Sequence, residues 1–358
     1  MRDEDSVFIL FLLYRCTIVR HPPFGAVRSH MIVRSITFTF SLLLVTVIST
    51  SLGIAQTRQA EFEMINLYDA FGKVRPGTVQ DFGFSALIRY RGKTILFDAG
   101  TNARTLEQNV RAAGVDLAQV DIAIVSHSHY DHIGGFDYLL ERNPKVKIYL
   151  PQDFAGLGAP TVFPFRDAEP AATQRLSKDE IYFRGERSTE GMVSTPTGRF
   201  WKSDIEYLTS AKEVLPGLTL VPTKAKLMGT FNRYPPFGEN PQLNGLPELS
   251  ASFATVEGNV IVSGCSHSGI ENIVAEARTI TKARTRLLVG GFHLIPYDRP
   301  YIEKLMTTLR DELEVDGVAP AHCTGHLAFL LFRERFGNKY RFFGLGEKIT
   351  LTGGTKAP

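Results

Sequence analysis

Short apolar segments separated by turn residues recur along the chain, and their periods predict alternating strands and helices. Arg91-Gly92 separates two of these segments and is typical of a hairpin turn. Gly114 follows an amphipathic stretch and marks the end of a helix. In the first half, strands are predicted over 63–68, 85–90, 94–97, 121–126 and 146–150, and helices over 102–113 and 136–142. This order predicts an α/β layered core.

The middle of the chain, residues 151–248, has no clear period, and prolines, glycines, aromatic and charged residues are scattered through it. One strand is predicted here, over 219–222. We interpret the segment as an elaborated insertion or lid, because long loops on a rigid scaffold commonly carry recognition. The alternative is a second strand-rich half of the same core with long connections. Beyond it, strands are predicted over 259–263, 285–289 and 318–321, and helices over 270–281, 301–313 and 326–336.

Residues 1–55 form an N-terminal extension with the layout of a secretory signal peptide. A basic flank is followed by an apolar run over 36–48 and by a small, polar stretch that ends at Ala55, after which cleavage is predicted. The apolar run of about 13 residues is shorter than the roughly 20 that span a bilayer. We therefore expect an exported protein, periplasmic or secreted, without a stable membrane span after cleavage. An uncleaved anchor and a cytoplasmic protein are the alternatives, and Met31 is the expected start.

Composition and charge narrow the class of protein. Hydrophobic residues make up 44% and charged residues 22%, which is ordinary for a globular protein and excludes a disordered chain or a polytopic membrane protein. The formal net charge of +3 gives no reason to expect a nucleic-acid partner. Three cysteines cannot build a disulfide framework. None of these properties determines the oligomeric state.

The histidines are concentrated in short motifs rich in Gly, Ser, Cys or Asp. Outside the N-terminal extension they are His127, His129, His132, His267, His293, His322 and His326. The densest motif follows a predicted strand. Because alternate residues of an extended chain point the same way, His127 and His129 can bind one metal ion. Asp131 and His132, in the turn that follows, can reach a second. Imidazole and carboxylate ligands together favour zinc, manganese or iron.

The pattern His127-x-His-x-Asp-His132, preceded by Leu96-Phe-Asp-Ala-Gly100, resembles the metallo-β-lactamase superfamily. The resemblance covers residues 61–350 and implies an αββα four-layer sandwich with metal ions at the edge of its sheets. Several other motifs resemble one branch of the superfamily, the dihydropterin ribofuranosylaminobenzene phosphate synthase-like proteins. These motifs lie at 81–85, 247–250, 263–269, 290–294 and 321–326.

The resemblance also implies ligands for two metal ions, with zinc expected and manganese or iron as alternatives. The histidine of the usual third motif is missing, since no histidine occurs between His132 and His267. His267 is its expected substitute, and His322 fits the final ligand. The implied first set is therefore His127, His129 and His267, and the second is Asp131, His132 and His322.

Four further residues have roles that the resemblance suggests without fixing them. Asp98 is expected to orient a ligand histidine, and the alternative is a cap at the turn after its strand. Cys265 falls where a bridging ligand would lie, and a buried free cysteine is the alternative. His293 is expected to face the substrate as an acid, with a metal ligand or a structural residue as alternatives. For His326, an anion contact at a helix start and a surface position both stay open.

These motifs lead to one functional hypothesis and two alternatives. The hypothesis is a metal-dependent hydrolase that uses a metal-bound hydroxide on an ester, phosphoester, lactone or amide bond of a small molecule. Asp131 and His293 would be its catalytic residues. One alternative is the dihydropterin-type synthase activity of the branch, a transferase reaction, against which the export signal argues. The other is a non-catalytic metal-binding module, against which the intact histidine motif argues.

Overall fold

The structure, a computed structural model, describes residues 60–73, 75–152, 170–182, 198–224 and 246–352. The predicted signal peptide and the expected start at Met31 lie outside these ranges. Among the residues that are described, no helix is long and apolar enough to cross a bilayer.

The strands that the structure describes are grouped in two sheets. The first contains β1 (Ala60–Tyr68), β2 (Ser85–Tyr90), β3 (Lys93–Phe97), β4 (Ile122–Ile124), β5 (Lys147–Pro151), β6 (Asp204–Leu208) and β13 (Lys348–Thr352). The second contains β7 (Lys212–Leu215), β8 (Leu218–Lys224), β9 (Pro247–Thr255), β10 (Gly258–Ser263), β11 (Thr285–Gly291) and β12 (Val318–Ala321). The strand orders are β13-β1-β2-β3-β4-β5-β6 and β12-β11-β10-β9-β8-β7.

Most of the described helices connect parallel strands within one sheet, and the last lies between β12 of the second sheet and β13 of the first. The helices are α1 (Ala103–Ala112), α2 (Tyr130–Ile133), α3 (Phe136–Arg142), α4 (Pro170–Thr173), α5 (Gly198–Trp201), α6 (Ile270–Thr281), α7 (Arg299–Thr307) and α8 (His326–Phe336). A π-helical turn, Thr308–Glu312, extends α7. Strands β3 to β6 run parallel in the first sheet, as do β10 to β12 in the second. Parallel strands end at the same edge, and this brings the residues that follow them together.

Two hydrophobic clusters hold the layers together. On β3, Ile95 and Phe97 belong to the cluster between the sheets, which also contains Phe253 from β9. Leu96 points to the opposite face and packs with Leu106 of α1. This alternation is the ordinary consequence of the two-residue period of a strand with both faces covered. The predicted αββα arrangement is confirmed.

The predicted insertion or lid over 151–248 is only partly described. Its described parts contribute β6 to the first sheet and β7, β8 and the start of β9 to the second. These parts follow the alternative stated for the segment, a strand-rich continuation of the core. The lid interpretation for the rest of the segment stays a prediction.

Candidate metal centre

The predicted ligands follow the ends of four strands, one in the first sheet and three in the second, and meet at one edge of the sandwich. The histidine motif follows β4, whereas His267, His293 and His322 follow β10, β11 and β12 respectively. The backbone N–H of Leu249, on β9, donates to the carbonyl of Ser126, 2.7 Å away, and this bond joins the edges of the two sheets. The structure thus brings together every residue that the sequence nominates as a ligand.

His127, His129 and His267 form what we call the first ligand group. One ring nitrogen from each lies within 4.8 Å of the others, and His127 Nε2 is 3.1 Å from His129 Nδ1. His129 Nε2 is buried and has no hydrogen-bond partner among the described residues. Burial lowers the pKa of His129 to about 4 and holds the pKa of His127 and His267 well below the usual value. All three imidazoles are therefore neutral near pH 7, the form that binds a metal ion.

Asp131, His132, Cys265 and His322 form the second ligand group, also within 4.8 Å of one another. Oδ2 of Asp131 lies 3.1 Å from His322 Nε2 and 3.6 Å from His132 Nε2. His132 Nε2 lies 3.1 Å from the Sγ atom of Cys265. Burial alone would raise the pKa of Asp131, but the nearby His132 and the hydrogen bond from His322 hold it well below its usual range.

The surroundings of His322 favour positive charge. Burial would lower the pKa of His322, but the charges of Cys323, Asp131 and Asp69, with the hydrogen bond to Asp131, raise it to about 9. A divalent cation bound by this group would meet the same negative surroundings. The donor sets and the buried, unpartnered Nε2 of His129 therefore fit bound metal ions, with imidazole, carboxylate and thiolate ligands of the kind that zinc prefers.

Asp98 and Ser126 fix the orientation of two ligand rings. The side chain of Asp98 accepts hydrogen bonds of 2.7 Å from Ser126 N and from Ser126 Oγ. Its Oδ2 also lies 2.7 Å from His132 Nδ1. Since Ser126 Oγ donates to Asp98, it accepts from His127 Nδ1 at 2.8 Å. Both rings are thereby protonated at Nδ1 and present Nε2 to a metal, and Asp98 lies where the sequence expects it.

Left-handed backbone conformations cluster around the centre. The φ angles are 57° at Asp98, 65° at Ser266, 49° at His293 and 47° at His322. Residues with a Cβ atom adopt this region rarely, and such strain persists where the surrounding structure enforces it, commonly at functional sites. The sharp turns at these strand ends direct the ligand-bearing segments into the centre.

Two buried carboxylates hold the backbones of ligand segments, and the sequence analysis missed both. Glu248 accepts from the N–H groups of His267 and Ser268 at 2.8 and 2.7 Å, and from Ser268 Oγ at 2.7 Å. Asp69 accepts from the N–H of His322 at 3.1 Å. Glu248 lies in the motif 247–250, which carries the branch resemblance and could have drawn attention to it. No sequence signal marks Asp69.

His326 is buried, with 2% of its surface exposed, so the surface alternative for it is wrong. Its Nε2 accepts a hydrogen bond of 2.9 Å from the backbone N–H of Tyr182. Tyr182 Oη in turn donates to the carbonyl of His322 at 2.5 Å and accepts from Gly325 N at 2.7 Å. Through Tyr182, the described segment 170–182 supports the loop that carries His322.

Cys265 and Cys323 lie beside each other next to His293. Their Sγ atoms are 3.3 Å apart and both residues are free cysteines. The ring of His293 is 4.4 Å from the ring of His267, centroid to centroid. His293 thus lies against both a first-group ligand and the sulfur pair, and Cys323, in the motif 321–326, is a further member of the centre.

Comparison with known proteins agrees with the predicted fold. Residues 78–204 match the family model described as the metallo-beta-lactamase superfamily. The crystal structure of Tm1679, described as a metal-dependent hydrolase of the beta-lactamase superfamily, has a TM-score of 0.59 at 23% sequence identity. That similarity covers 81% of this chain and 99% of Tm1679. The predicted resemblance to the metallo-β-lactamase superfamily is therefore confirmed.

Two proteins of Methanocaldococcus jannaschii place the chain near one branch. The 7,8-dihydropterin-6-methyl-4-(beta-D-ribofuranosyl)-aminobenzene-5'-phosphate synthase is 28% identical over 274 residues, or 72% of this chain and 84% of that protein. The uncharacterised protein MJ0448 is 25% identical over 252 residues, or 69% of this chain and 85% of that protein. The resemblance to this branch is confirmed at the level of sequence similarity.

Proposed function

We propose that this protein is a metal-dependent hydrolase that cleaves an ester, phosphoester, lactone or amide bond of a small molecule. The observation that carries the proposal is the convergence of the first and second ligand groups at one edge of the sandwich. The match of residues 78–204 to the superfamily model supports metal-dependent hydrolysis in general. The type of bond and the small size of the substrate are part of the proposal.

The residues of the two groups would hold metal ions, and one of them would also orient the attacking water. His127, His129 and His267 would hold one ion, and the second group would hold another. Metal ions held there would supply an activated water molecule and Lewis-acid polarisation of a substrate oxygen. Zinc suits this set best, because two ligand types, imidazole and the Cys265 thiolate, are favourable donors for it.

Asp131 would orient the attacking water. Its carboxylate is 6% exposed and stays ionised because its pKa is held low. An ionised carboxylate accepts hydrogen bonds only, so it would accept one from the water and direct an oxygen lone pair at the substrate. Holding water and substrate in this geometry removes part of the entropic barrier of the reaction.

A synthase activity is the second candidate, favoured by the 28% identity to the M. jannaschii synthase over 72% of this chain. A transferase of that kind joins two organic substrates, a dihydropterin methyl diphosphate and a ribofuranosylaminobenzene phosphate, with release of diphosphate. The two activities therefore differ in the number of organic substrates that turnover requires.

A panel of single substrates tests the proposal. Zinc-loaded protein is incubated with a phosphomonoester, a phosphodiester, a carboxyl ester, a lactone and an amide, each alone in buffer. We expect hydrolysis of at least one of them by the unmodified protein and none by the His129→Ala variant. Absence of hydrolysis in the whole panel, together with diphosphate release that requires both synthase substrates, would overturn the hydrolase in favour of the transferase.

A further inference from the structure

The two cysteines of the centre are spaced for a shared metal ion rather than for a disulfide. Cys265 and Cys323 are each 2% exposed, and their Sγ atoms are 3.3 Å apart. A disulfide bond would bring the sulfurs to about 2.05 Å. Two thiolates on one tetrahedral zinc, each at about 2.3 Å, lie about 3.8 Å from each other. The observed separation is nearer to the second arrangement.

His293 supplies a third donor to this pair. One of its ring nitrogens lies within 4.8 Å of both sulfur atoms, in a group whose members are all buried. The residue also has the left-handed backbone, with φ at 49°, that His322 adopts at the end of the neighbouring strand. His322 belongs to the second ligand group, so the same strand-end turn presents an imidazole to the centre at both positions.

We propose that Cys265, His293 and Cys323 form a sulfur-rich site for a thiophilic divalent cation such as Zn²⁺ or Cd²⁺. Two thiolates and one imidazole, with a fourth position left for water or another ligand, are an established zinc ligand set. Soft thiolates favour such ions over manganese or magnesium. Because Cys265 also belongs to the second ligand group, its thiolate would bridge the two sites.

This assignment gives His293 a different role from the one expected from the sequence. As a substrate-facing acid, His293 would need a ring proton directed at the substrate, and its loss would leave metal binding unchanged. As a ligand, it directs a ring nitrogen at the cation between the cysteines, and its loss would weaken binding. Metal binding therefore separates the two roles without any assay of turnover.

The experiment is a cobalt titration of the metal-free protein, kept reduced with a phosphine. Cobalt bound to thiolate gives an intense charge-transfer absorption, and the bound ions are counted by elemental analysis. For Cys323→Ser we expect this absorption to fall by roughly half, because one of two thiolate ligands is lost. For His293→Ala we expect cobalt affinity at this site to fall at least roughly 10-fold. Loss of a residue that only orients a ligand typically costs 10–100-fold, and loss of the ligand itself should cost no less.

His127→Ala is the matched control, since it removes an imidazole from a group without sulfur. It should lower the number of bound ions and keep the charge-transfer absorption. If the absorption and ion count of Cys323→Ser equal those of the unmodified protein, the proposal is overturned.

X-ray absorption of the zinc-loaded, unmodified protein gives a test that needs no substitution. X-ray absorption averages over all bound ions, so with zinc in the first group, the second group and the sulfur-rich site we expect a sulfur shell at about 2.3 Å that corresponds to roughly one thiolate per zinc. A shell of roughly half a thiolate per zinc, which the first and second groups alone would give, or a spectrum explained by nitrogen and oxygen alone, would contradict the site. Neither measurement depends on hydrolysis, so the failure of this proposal is distinguishable from the failure of the proposed function.

Discussion

Oδ2 of Asp98 lies 2.7 Å from Nδ1 of His132, and both side chains are completely buried. This contact connects the end of β3 to a ligand of the second group. The same carboxylate holds Ser126, which orients His127 of the first group. One buried carboxylate thus sets the ring orientation of a ligand in each group, which explains why a motif at the end of β3 accompanies the histidine motif after β4.

Replacing Asp98 with Asn should weaken metal binding while the fold is retained. The neutral amide can accept from Ser126 or His132 but holds the rings less strongly than a carboxylate, and loss of such a partner typically costs 10–100-fold in metal affinity. Competition with a chromophoric chelator measures the change. Asp204→Asn is the control, because Asp204 forms an exposed ion pair with Lys147 and such pairs contribute little. Equal affinity in both variants would show that Asp98 does not support the centre.

Glu248→Ala should lower stability and disturb the first ligand group. The substitution leaves the buried N–H of His267 and the partly buried N–H of Ser268 without their acceptor, and a buried group without an acceptor costs about 1–3 kcal/mol. Urea unfolding of the metal-free protein measures the free energy of unfolding. Glu257→Ala, at an exposed side chain paired with Arg286, should change it by roughly 0.5 kcal/mol or less. A Glu248→Ala protein as stable as this control would refute the assigned role.

Single substitutions should deplete the two ligand groups separately. His267→Ala removes a ligand of the first group and should leave the cobalt absorption that arises from the Cys265 thiolate. His322→Ala removes a ligand of the second group and should diminish that absorption. Ion counts and spectra of the two variants at equal free cobalt provide the test. If His267→Ala lost the thiolate absorption and His322→Ala kept it, the division of ligands between the groups would be reversed.

Export is a prediction that rests on residues 1–55 alone. Protein expressed from the full sequence in an exporting host should be recovered with an N-terminus near Gln56, because cleavage is predicted after Ala55. Mass spectrometry of the intact purified protein measures this directly. A recovered chain that still begins at Met1 or Met31 would refute the predicted cleavage and favour the uncleaved anchor or the cytoplasmic protein.

Local periodicity predicted much of the sandwich. The helices over 270–281 and 326–336 have the bounds expected from the sequence, as does the strand over 318–321. Strands buried on both faces appear as continuous apolar runs, which are easy to recognise. Strands β6 and β7 were missed because they contain charged residues and are partly exposed. Neither sequence therefore forms the continuous apolar run that marks a buried strand.

The candidate site was predictable where its chemistry is local. His127 to His132 lie within one short motif, and the resemblance assigned the distant ligands His267 and His322. Asp69 and Tyr182 could not be found in this way, because they act through hydrogen bonds to the backbone of a residue more than a hundred positions away. Such contacts depend on the packing of the fold and place no constraint on neighbouring sequence.

The central claim is that bound metal ions are required for hydrolysis. Removal of the metal by chelation, followed by its restoration, tests this claim most directly. Metal content and turnover of the best panel substrate are recorded before chelation, after chelation and after zinc is restored. We predict that turnover falls in proportion to the metal removed and returns with zinc, while the His129→Ala protein stays inactive throughout. Full turnover in metal-free protein would contradict the account.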